Sequence, residues 1–553
     1  MNSLLELLAA RRHQEGGYAA PGPGGNHRLL TFGELFETSG ASARTLCGLL
    51  AGRSDGAHPF ATAVLAVEDP LAFTTAFFAV MRAGLVPVPA PGRISDHHIH
   101  RRRLESLVAS ARPAVVVTEQ GQIEAARTVL GAAGPLVVSA EELATGSPSA
   151  RRGSEPSPDP VAYVQYTSGS TADPKPVALG HERVLAHLAQ AARVYEESAD
   201  CVSVNWVPLH HAMGLVTSVL RPLYSGYTSV ILDPTDFVRA PERWMSALTR
   251  WRATHTSASD FGYALAARRA QDTGTLDLSR LRVARVSGEM IRAETLDAFT
   301  HAFAPAGFSR DAFCPSYGLA EATLTVTSSP VGQAPRIVTA SRTAWRGGRF
   351  TPATDPGDAL RLVSCGLPLD GTQVVILDAH GVPVAGPDQV GEVWISGPQV
   401  SDRPGPRISG LEGLHTGDSG FLHQGELVLV GRSAERFQVR GVNYYCTELE
   451  SAVAAADPRF RPGRIAAFVS GSVEESQRLV IAAETGTDRP PSPAETAELS
   501  SLVVRTISRE VGLSVQDVLI LPAESLPLTA SGKLQRGQCR SLFESRGLDG
   551  FTV

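Results

Sequence analysis

The chain has 553 residues, with 50 Lys and Arg against 56 Asp and Glu, a formal net charge of −6, 43% hydrophobic and 19% charged residues. This is ordinary globular composition, enough for several compact units and a large core, and it excludes a disordered scaffold and a disulfide mini-protein. The acidic balance argues against a nucleic-acid binder, which needs basic surface to displace counterions.

In chain order, Met1-Asn2-Ser3-Leu4-Leu5-Glu6 carries a charge inside its only apolar run and does not read as a signal peptide. Leu46 to Leu50 closes a helical stretch. Thr62 to Val67 predicts a short apolar strand, and Leu71 to Met81 follows at helical period. The uncharged stretch Pro70 to Met81 is about half the roughly 20 residues a bilayer requires, so no membrane insertion is expected. Asp96-His97-His98-Ile99-His100 has no companion Cys or His cluster and reads as a solvated loop, and Arg101-Arg102-Arg103 as a solvated helix start. Pro113 to Thr118 and Pro135 to Val138 read as buried strands; alternation with helices indicates βαβ units and a mostly parallel sheet. Thr145 to Pro160 is polar and Pro/Ser-rich, a linker before the strand Val161 to Gln165.

From Val363 the pattern changes. Val374 to Leu377, Gly391 to Ile395 and Glu426 to Val430 are short strands between Gly/Asp/Pro turns, the pattern of a small barrel or meander. The last unit has strands at Ile465 to Val469 and Leu479 to Ala483, an exposed loop at Thr487 to Pro493, and a helix over Ala497 to Gly512. The fold class is therefore α/β, a large body followed by a smaller C-terminal α+β domain of about 120 residues. The cysteines (47, 201, 314, 365, 446, 539) are scattered with no C-x-x-C pair, which points to reduced thiols in cytoplasm.

Four segments carry chemistry. Tyr166-Thr167-Ser168-Gly169-Ser170-Thr171-Ala172-Asp173-Pro174-Lys175 follows a strand, and its small hydroxyl residues leave N–H and O–H groups to surround phosphate oxygens, with Lys175 at the end. It is not a Walker loop, because G-x-x-x-x-G-K-S/T is absent. Tyr317-Gly318-Leu319-Ala320-Glu321-Ala322-Thr323 sets one carboxylate among small residues, a candidate Mg²⁺ ligand. Thr416-Gly417-Asp418-Ser419-Gly420 places a lone carboxylate in a tight turn, suited to accepting both hydroxyls of a ribose. Leu528-Thr529-Ala530-Ser531-Gly532-Lys533-Leu534 is a mobile loop whose lysine can move onto developing negative charge.

Taken in this order, from Leu30-Thr31-Phe32-Gly33-Glu34-Leu35 to Lys533, the segments resemble the adenylate-forming superfamily, and most closely its fatty acyl-AMP ligases. Trp206-Val207-Pro208-Leu209-His210-His211-Ala212-Met213-Gly214-Leu215 resembles their W-x-P-x-x-H-D-M-G-L, Ala258-Ser259-Asp260-Phe261-Gly262-Tyr263 their A-P-N-F-A-Y, and Arg440-Gly441-Val442-Asn443-Tyr444-Tyr445 their R-G-R-N-H-Y. The stretch between Ser328 and Leu362 resembles the extra segment that separates them from CoA ligases and restrains domain rotation.

The resemblance implies ATP and Mg²⁺ as cofactors, a carboxylic acid substrate activated as acyl-adenylate with release of pyrophosphate, and an acyl carrier protein as acceptor. It divides the chain into an adenylation domain, 1–432, built of parallel α/β subdomains plus a small barrel, and a mobile lid, 433–553. Thr167, Ser168, Gly169, Ser170, Thr171 and Lys175 would hold the phosphates. Tyr317 and Gly318 would meet adenine near Gly288 and Glu289, Asp418 and Arg432 the ribose, and Glu321 the Mg²⁺. Lys533 would neutralise charge between the carboxylate and the α-phosphate. His211, Met213, Asp260, Phe261 and Gly262 would face the acyl substrate, and Ala434 would be the hinge.

The sequence departs from the family at five of these places. Ala172 and Pro176 stand where relatives have glycine, Ala212 replaces an aspartate after His211, and Ala434 replaces Lys or Asp. Asp260 replaces asparagine, which places negative charge where it would repel a simple fatty carboxylate or pair with a cationic substrate. Three readings stay open: a carrier-loading acyl-AMP ligase; an enzyme passing its adenylate to CoA or an amine, or activating nitrite for diazotisation; and a non-catalytic nucleotide-binding relative.

Overall fold

A computed structural model gives the structure of the chain. It describes residues 1–22, 26–51, 61–94, 98–131, 134–145, 159–167, 175–342, 344, 349–401, 408, 412–439, 442–471, 478–487, 489–528 and 534–546. The linker between Thr145 and Pro160 falls mostly outside them.

Short apolar runs build two parallel sheets. The strands Thr62–Ala66, Val86–Pro89, Val115–Thr118 and Leu136–Ser139 form one, ordered with Thr62–Ala66 between Val86–Pro89 and Val115–Thr118. Their near-continuous burial follows from helices on both faces, as the uninterrupted Val/Leu/Ala runs require. The helix Phe32–Leu50 starts in a capping box, Thr31 with Glu34, and the helix Pro70–Arg82 starts on an Asp69 cap with Pro70 in its first turn. The three arginines 101–103 lie in the helix His98–Ala111, whose first turn also takes in His98 and His100, expected as loop.

The larger sheet has nine strands. Phe313–Gly318, Val283–Val286, His255–Ala258, Val202–Asn205, Thr228–Ile231 and Gly17–Pro21 run parallel in that order. Antiparallel strands close each edge: Thr325–Ser328 and Leu367–Pro368 on one side, His27–Thr31 on the other. A core of Trp206, Phe237, Trp244, Tyr263, Phe299 and Phe313 packs on one face; Trp206 and Phe237 are stacked 3.7 Å apart.

After this sheet the chain forms an antiparallel meander, Gln373–Leu377, Gly391–Ser396, Leu414–His423 and Glu426–Arg432. Beside it lies a two-stranded ribbon, Ile337–Ser341 with Ala359–Val363, joined to it through the Ser364–Val428 bridge. The C-terminal residues gather a separate core around Leu449, Val453, Ile481, Leu499 and Val503, with the strands Phe460–Ser470, Arg478–Thr485 and Asp517–Leu521. The helix expected over Ala497 to Gly512 starts earlier, at Pro493 on a Ser492–Glu495 capping box, and closes with a π-helical turn, Ile507–Val511. Among the described residues, no helix is long and apolar enough to cross a membrane.

Candidate active site

The parallel strands end at one rim, where open α/β sheets place their ligands. Tyr317 stands at that rim, buried, and its Oη donates a 2.6 Å hydrogen bond to Asp418 Oδ2. Arg432 Nε lies 3.3 Å from Asp418 Oδ1. Burial, and then the Asp418 carboxylate, push the Tyr317 phenol far above its ordinary value, so it stays a donor. The expected tight turn at Thr416 to Gly420 is instead part of the strand Leu414–His423, because Asp418 pairs across the hairpin with Arg432. Gly417, at φ +73°, and a register shift after Ser419 supply the irregularity that looked like a turn. Thr416 Oγ1 accepts from the Asp418 amide (3.1 Å) and donates to Val393 O (2.8 Å), which fixes the carboxylate's backbone.

The next strand, Val283–Val286, leads into Ser287, Gly288 and Glu289. Gly288 has φ +90°, a conformation L side chains rarely adopt. Glu289 Oε1 accepts from the Phe261 amide at 2.6 Å and so ties this loop to the start of the helix Asp260–Arg268. Glu321 sits half-buried in the 3₁₀ turn Ala320–Ala322, whose geometry is set from outside: its carbonyl accepts from Ser401 N (2.7 Å), and Thr323, at φ +61°, donates through Oγ1 to Gln399 O (3.2 Å). Among the described residues the Glu321 carboxylate has no side-chain or backbone partner. Gly318 admits no Cβ, which would fall 1.6 Å from Leu324 O.

Of the residues expected to face the acyl substrate, His211 caps the short helix Ala212–Leu215, and its Nδ1 accepts from the Met213 amide at 3.2 Å. That bond leaves the proton of the neutral ring on Nε2, so the backbone provides the support that Ala212 does not. Met213 is buried, and Gly214 is obligatory: a Cβ there would lie 2.1 Å from Pro208 O. Gly262 likewise lies against Trp206, 2.5 Å from where its Cβ would be.

The Asp260 carboxylate is buried and ion-paired with Arg292. Its Oδ1 accepts from the Arg292 amide (3.0 Å), and its Oδ2 from Arg292 Nε (2.7 Å) and Thr295 Oγ1 (3.1 Å). Burial pushes its carboxyl up to about 6, and the Arg292 guanidinium opposes that rise. The charge expected to repel a fatty carboxylate is consumed inside the protein, where it joins the Asp260–Arg268 helix to the Ala293–Phe303 helix.

Thr167 and Lys175 are register partners across the hairpin Val161–Thr167/Lys175–Gly180, so the candidate phosphate loop closes between them. Ser168, Gly169, Ser170, Thr171 and Ala172 lie outside the described residues, as does the Thr167 side chain. Lys533 also lies outside them. Just after it, Arg536 was missed in the sequence: its Nη1 donates to Glu435 Oε2 (2.7 Å) and its Nε to Glu450 Oε1 (2.6 Å). The described contacts therefore bring together Tyr317, Asp418 and Arg432, Phe261 and Glu289, and Thr167 with Lys175.

Comparison with known proteins gives a consistent picture. The AMP-binding enzyme family matches residues 9–403. The chain is 32% identical to a medium-chain-fatty-acid–acyl-carrier-protein ligase of Moorena producens, over 88% of this chain and 86% of that protein. It is also 32% identical to a 4-hydroxyphenylalkanoate adenylyltransferase of Mycobacterium tuberculosis, over 86% of this chain and 80% of that one. Among solved structures, one from a study of fatty acyl-adenylate ligases of E. coli and L. pneumophila superposes with a TM-score of 0.89 at 27% identity, covering 99% of this chain and 98% of that chain. A fatty acyl-adenylate ligase of L. pneumophila solved with acyl adenylate and pyrophosphate gives 0.71 at 26% identity, over 98% and 95%.

Proposed function

Since this chain belongs to the AMP-binding enzyme family, we propose that it is an ATP-dependent acyl-AMP ligase that activates a carboxylic acid and delivers the acyl group to a carrier-protein thiol. In the first half-reaction an oxygen of the acid bonds to the α-phosphorus of ATP as the bond to the pyrophosphate oxygen breaks. In the second the thiol sulfur attacks the acyl carbon, its proton is lost and AMP leaves. Such chemistry needs positioning and charge neutralisation more than covalent help from protein.

The observation that carries this reading is the Tyr317–Asp418–Arg432 group: a buried aromatic ring and an oriented carboxylate at the rim of the parallel sheet, suited to a base and its ribose. Gly288 and Glu289 border the base, and the Thr167–Lys175 hairpin, with Ser168, Gly169, Ser170 and Thr171, takes the phosphates. Lys533 neutralises the charge that develops as the acid attacks. His211, Met213, Phe261 and Gly262 lie on the acyl side.

Among the described residues no three His, Cys, Asp or Glu side chains converge, so a cation would rest on few protein ligands. Mg²⁺ is held that way, by one or two carboxylates and substrate phosphates, and the unengaged Glu321 fits it. Bound there, Mg²⁺ would neutralise phosphate charge. We read residues 1–432 as the adenylation domain, 433–553 as the lid, and the enzyme as cytoplasmic; all six cysteines are free thiols.

Contacts of the extra segment support a carrier thiol over CoA. Val338, Ala340 and Leu362 of the ribbon share a core with Tyr445, and Arg342 Nη1 lies 3.9 Å from Glu448 Oε1 on the helix Cys446–Ala456. The ribbon therefore holds the start of the C-terminal core, a restraint on its reorientation.

The test is carboxylate-dependent pyrophosphate release across short, aromatic and long-chain acids and nitrite, with Lys533→Ala as the blank. Mass spectrometry then reads acyl transfer to a phosphopantetheinylated carrier against CoA. Release with an acid, lost in the blank, and a thioester on the carrier are expected. Absence of any acid-dependent release would overturn the reading.

A further inference from the structure

The helix His181–Val194 covers the larger sheet, its Ala191 packing with Tyr195 on Val283 and Cys314. Between helix and sheet lies a group of buried polar side chains that the chemistry above does not use. Glu197 accepts from Arg221 Nε (2.7 Å), Ser225 Oγ (3.0 Å) and Tyr227 Oη (3.0 Å). The Arg221 and Glu197 side chains are 3% and 0% exposed, so this is a completed ion pair with hydroxyls on the remaining lone pairs.

Arg285 is different. It is fully buried in the strand Val283–Val286, where an apolar residue would be expected. Its Nε donates to Tyr195 Oη (3.1 Å), and its Nη2 to Ser287 Oγ (3.1 Å) and Thr325 Oγ1 (3.2 Å), all neutral acceptors. Its Nη1 is buried with no hydrogen-bond partner, and among the described residues no carboxylate pairs with it. Arg221 adds a second cation close by, 4.4 Å over the Tyr195 ring. His187 of the covering helix is also fully buried with neither ring nitrogen partnered, and Gln190, on the same face of the helix, leaves Oε1 unpartnered. Burial, then Arg221 and Arg285, hold the His187 imidazole down to about 3, so it is a neutral donor. A buried guanidinium with an unused N–H and no counter-charge is strongly unfavourable on its own, and an anion would complete it.

Arg285 stands next to the C-terminal end of the strand Val283–Val286, three residues before Gly288 at the rim. Thr325, one of its acceptors, follows Glu321 by four residues. On the other side, the run from His211 to Arg221 covers about 15 Å of helix and contains the π-helical segment Val216–Leu220, a deformation frequent at functional sites.

We propose that Arg285, assisted by His187, receives a second carboxylate on the acid that this enzyme adenylates, so that its substrates are short dicarboxylic acids. This rests on the adenylating reading above and names its substrate class. Arg285 Nη1 donates to the remote carboxylate and His187 contributes one ring N–H. Neither residue touches the reacting carboxyl; both set specificity.

The test compares straight-chain mono- and dicarboxylic acids of equal length by pyrophosphate release, in the wild type, Arg285→Met, Arg285→Lys and His187→Asn. The wild type is expected to favour the diacid at least tenfold in kcat/KM. Arg285→Met should lose about a hundredfold on the diacid and turn over the monoacid better, Arg285→Lys should keep part of the preference, and His187→Asn should raise KM for the diacid alone. Because methionine removes an unpaired buried cation, Arg285→Met is expected to melt no lower than the wild type, while the thermal shift given by the diacid disappears. Equal use of both acid classes, or a preference unchanged in Arg285→Met, would overturn the proposal and leave water as the partner of Arg285. If no acid releases pyrophosphate, the adenylating reading fails separately, and the thermal shift decides: a diacid-specific shift lost in Arg285→Met upholds the receptor, and no shift overturns it.

Discussion

Tyr317 Oη donates to Asp418 Oδ2 across 101 residues of chain, joining the Phe313–Gly318 strand to the hairpin that carries Arg432. The ring and the carboxylate orient one another, so neither acts alone. Tyr317→Phe keeps the ring and drops the donor. A hydrogen bond to a charged group contributes about 1.5–3 kcal/mol, so KM for ATP should rise by about tenfold or more with kcat nearly unchanged. Steady-state pyrophosphate release at varied ATP measures it. A fall in kcat at constant KM would place the hydroxyl in the chemical step.

Glu321→Gln separates catalysis from stability. The carboxylate has no partner among the described residues, so the unfolding free energy read from urea should change by less than about 0.5 kcal/mol. Pyrophosphate release should fall by about a hundredfold with a raised Mg²⁺ requirement. Marked destabilisation would assign Glu321 to the architecture.

Arg292→Met leaves Asp260 buried with its main partner removed. Loss of one member of such a pair should destabilise the protein by about 3 kcal/mol, read from urea unfolding. Preference among acids of different charge should stay as it was. A stable variant with altered charge preference would show that Asp260 faces the substrate after all.

His187 makes stability acid-sensitive. Its folded value near 3 lies below the ordinary 6.5, so the contribution is complete above about 6.5 and is lost as pH falls toward 3. Between about pH 7 and pH 5 the loss should be roughly 2 kcal/mol, absent in His187→Asn. Asp260, raised to about 6, runs the other way, losing stability as pH rises from about 4 to 6. The difference between wild type and variant, not the wild-type curve, therefore isolates the histidine. An equal pH slope in both proteins would refute it.

Much of the fold was legible because its strands are buried on both faces and read as unbroken apolar runs, Thr62–Ala66 and Val115–Thr118 among them. Tyr317 could be singled out because one short segment, Tyr317 to Thr323, carries it, and the structure sets its hydroxyl against Asp418. What escaped was pairing between distant segments. Asp260 looked like a stray charge because its partner, Arg292, stands 32 residues on. Asp418 looked like a turn because glycines 417 and 420 flank it, while the pairing that makes it a strand comes from the next one. Arg285 had a signal that could have been read: one cation within the apolar run Val283–Val286.

Arg432 and Glu435 are three residues apart and fastened to opposite sides. Arg432 is held by Asp418, and the neighbouring Ser433 Oγ lies 2.8 Å from Ser419 Oγ on the same hairpin. Glu435 is held by Arg536, which also grips Glu450. Between the two moorings the backbone carries only Ala434. A reorientation of the C-terminal core against this hairpin would have to break one of the two moorings or turn at that single residue.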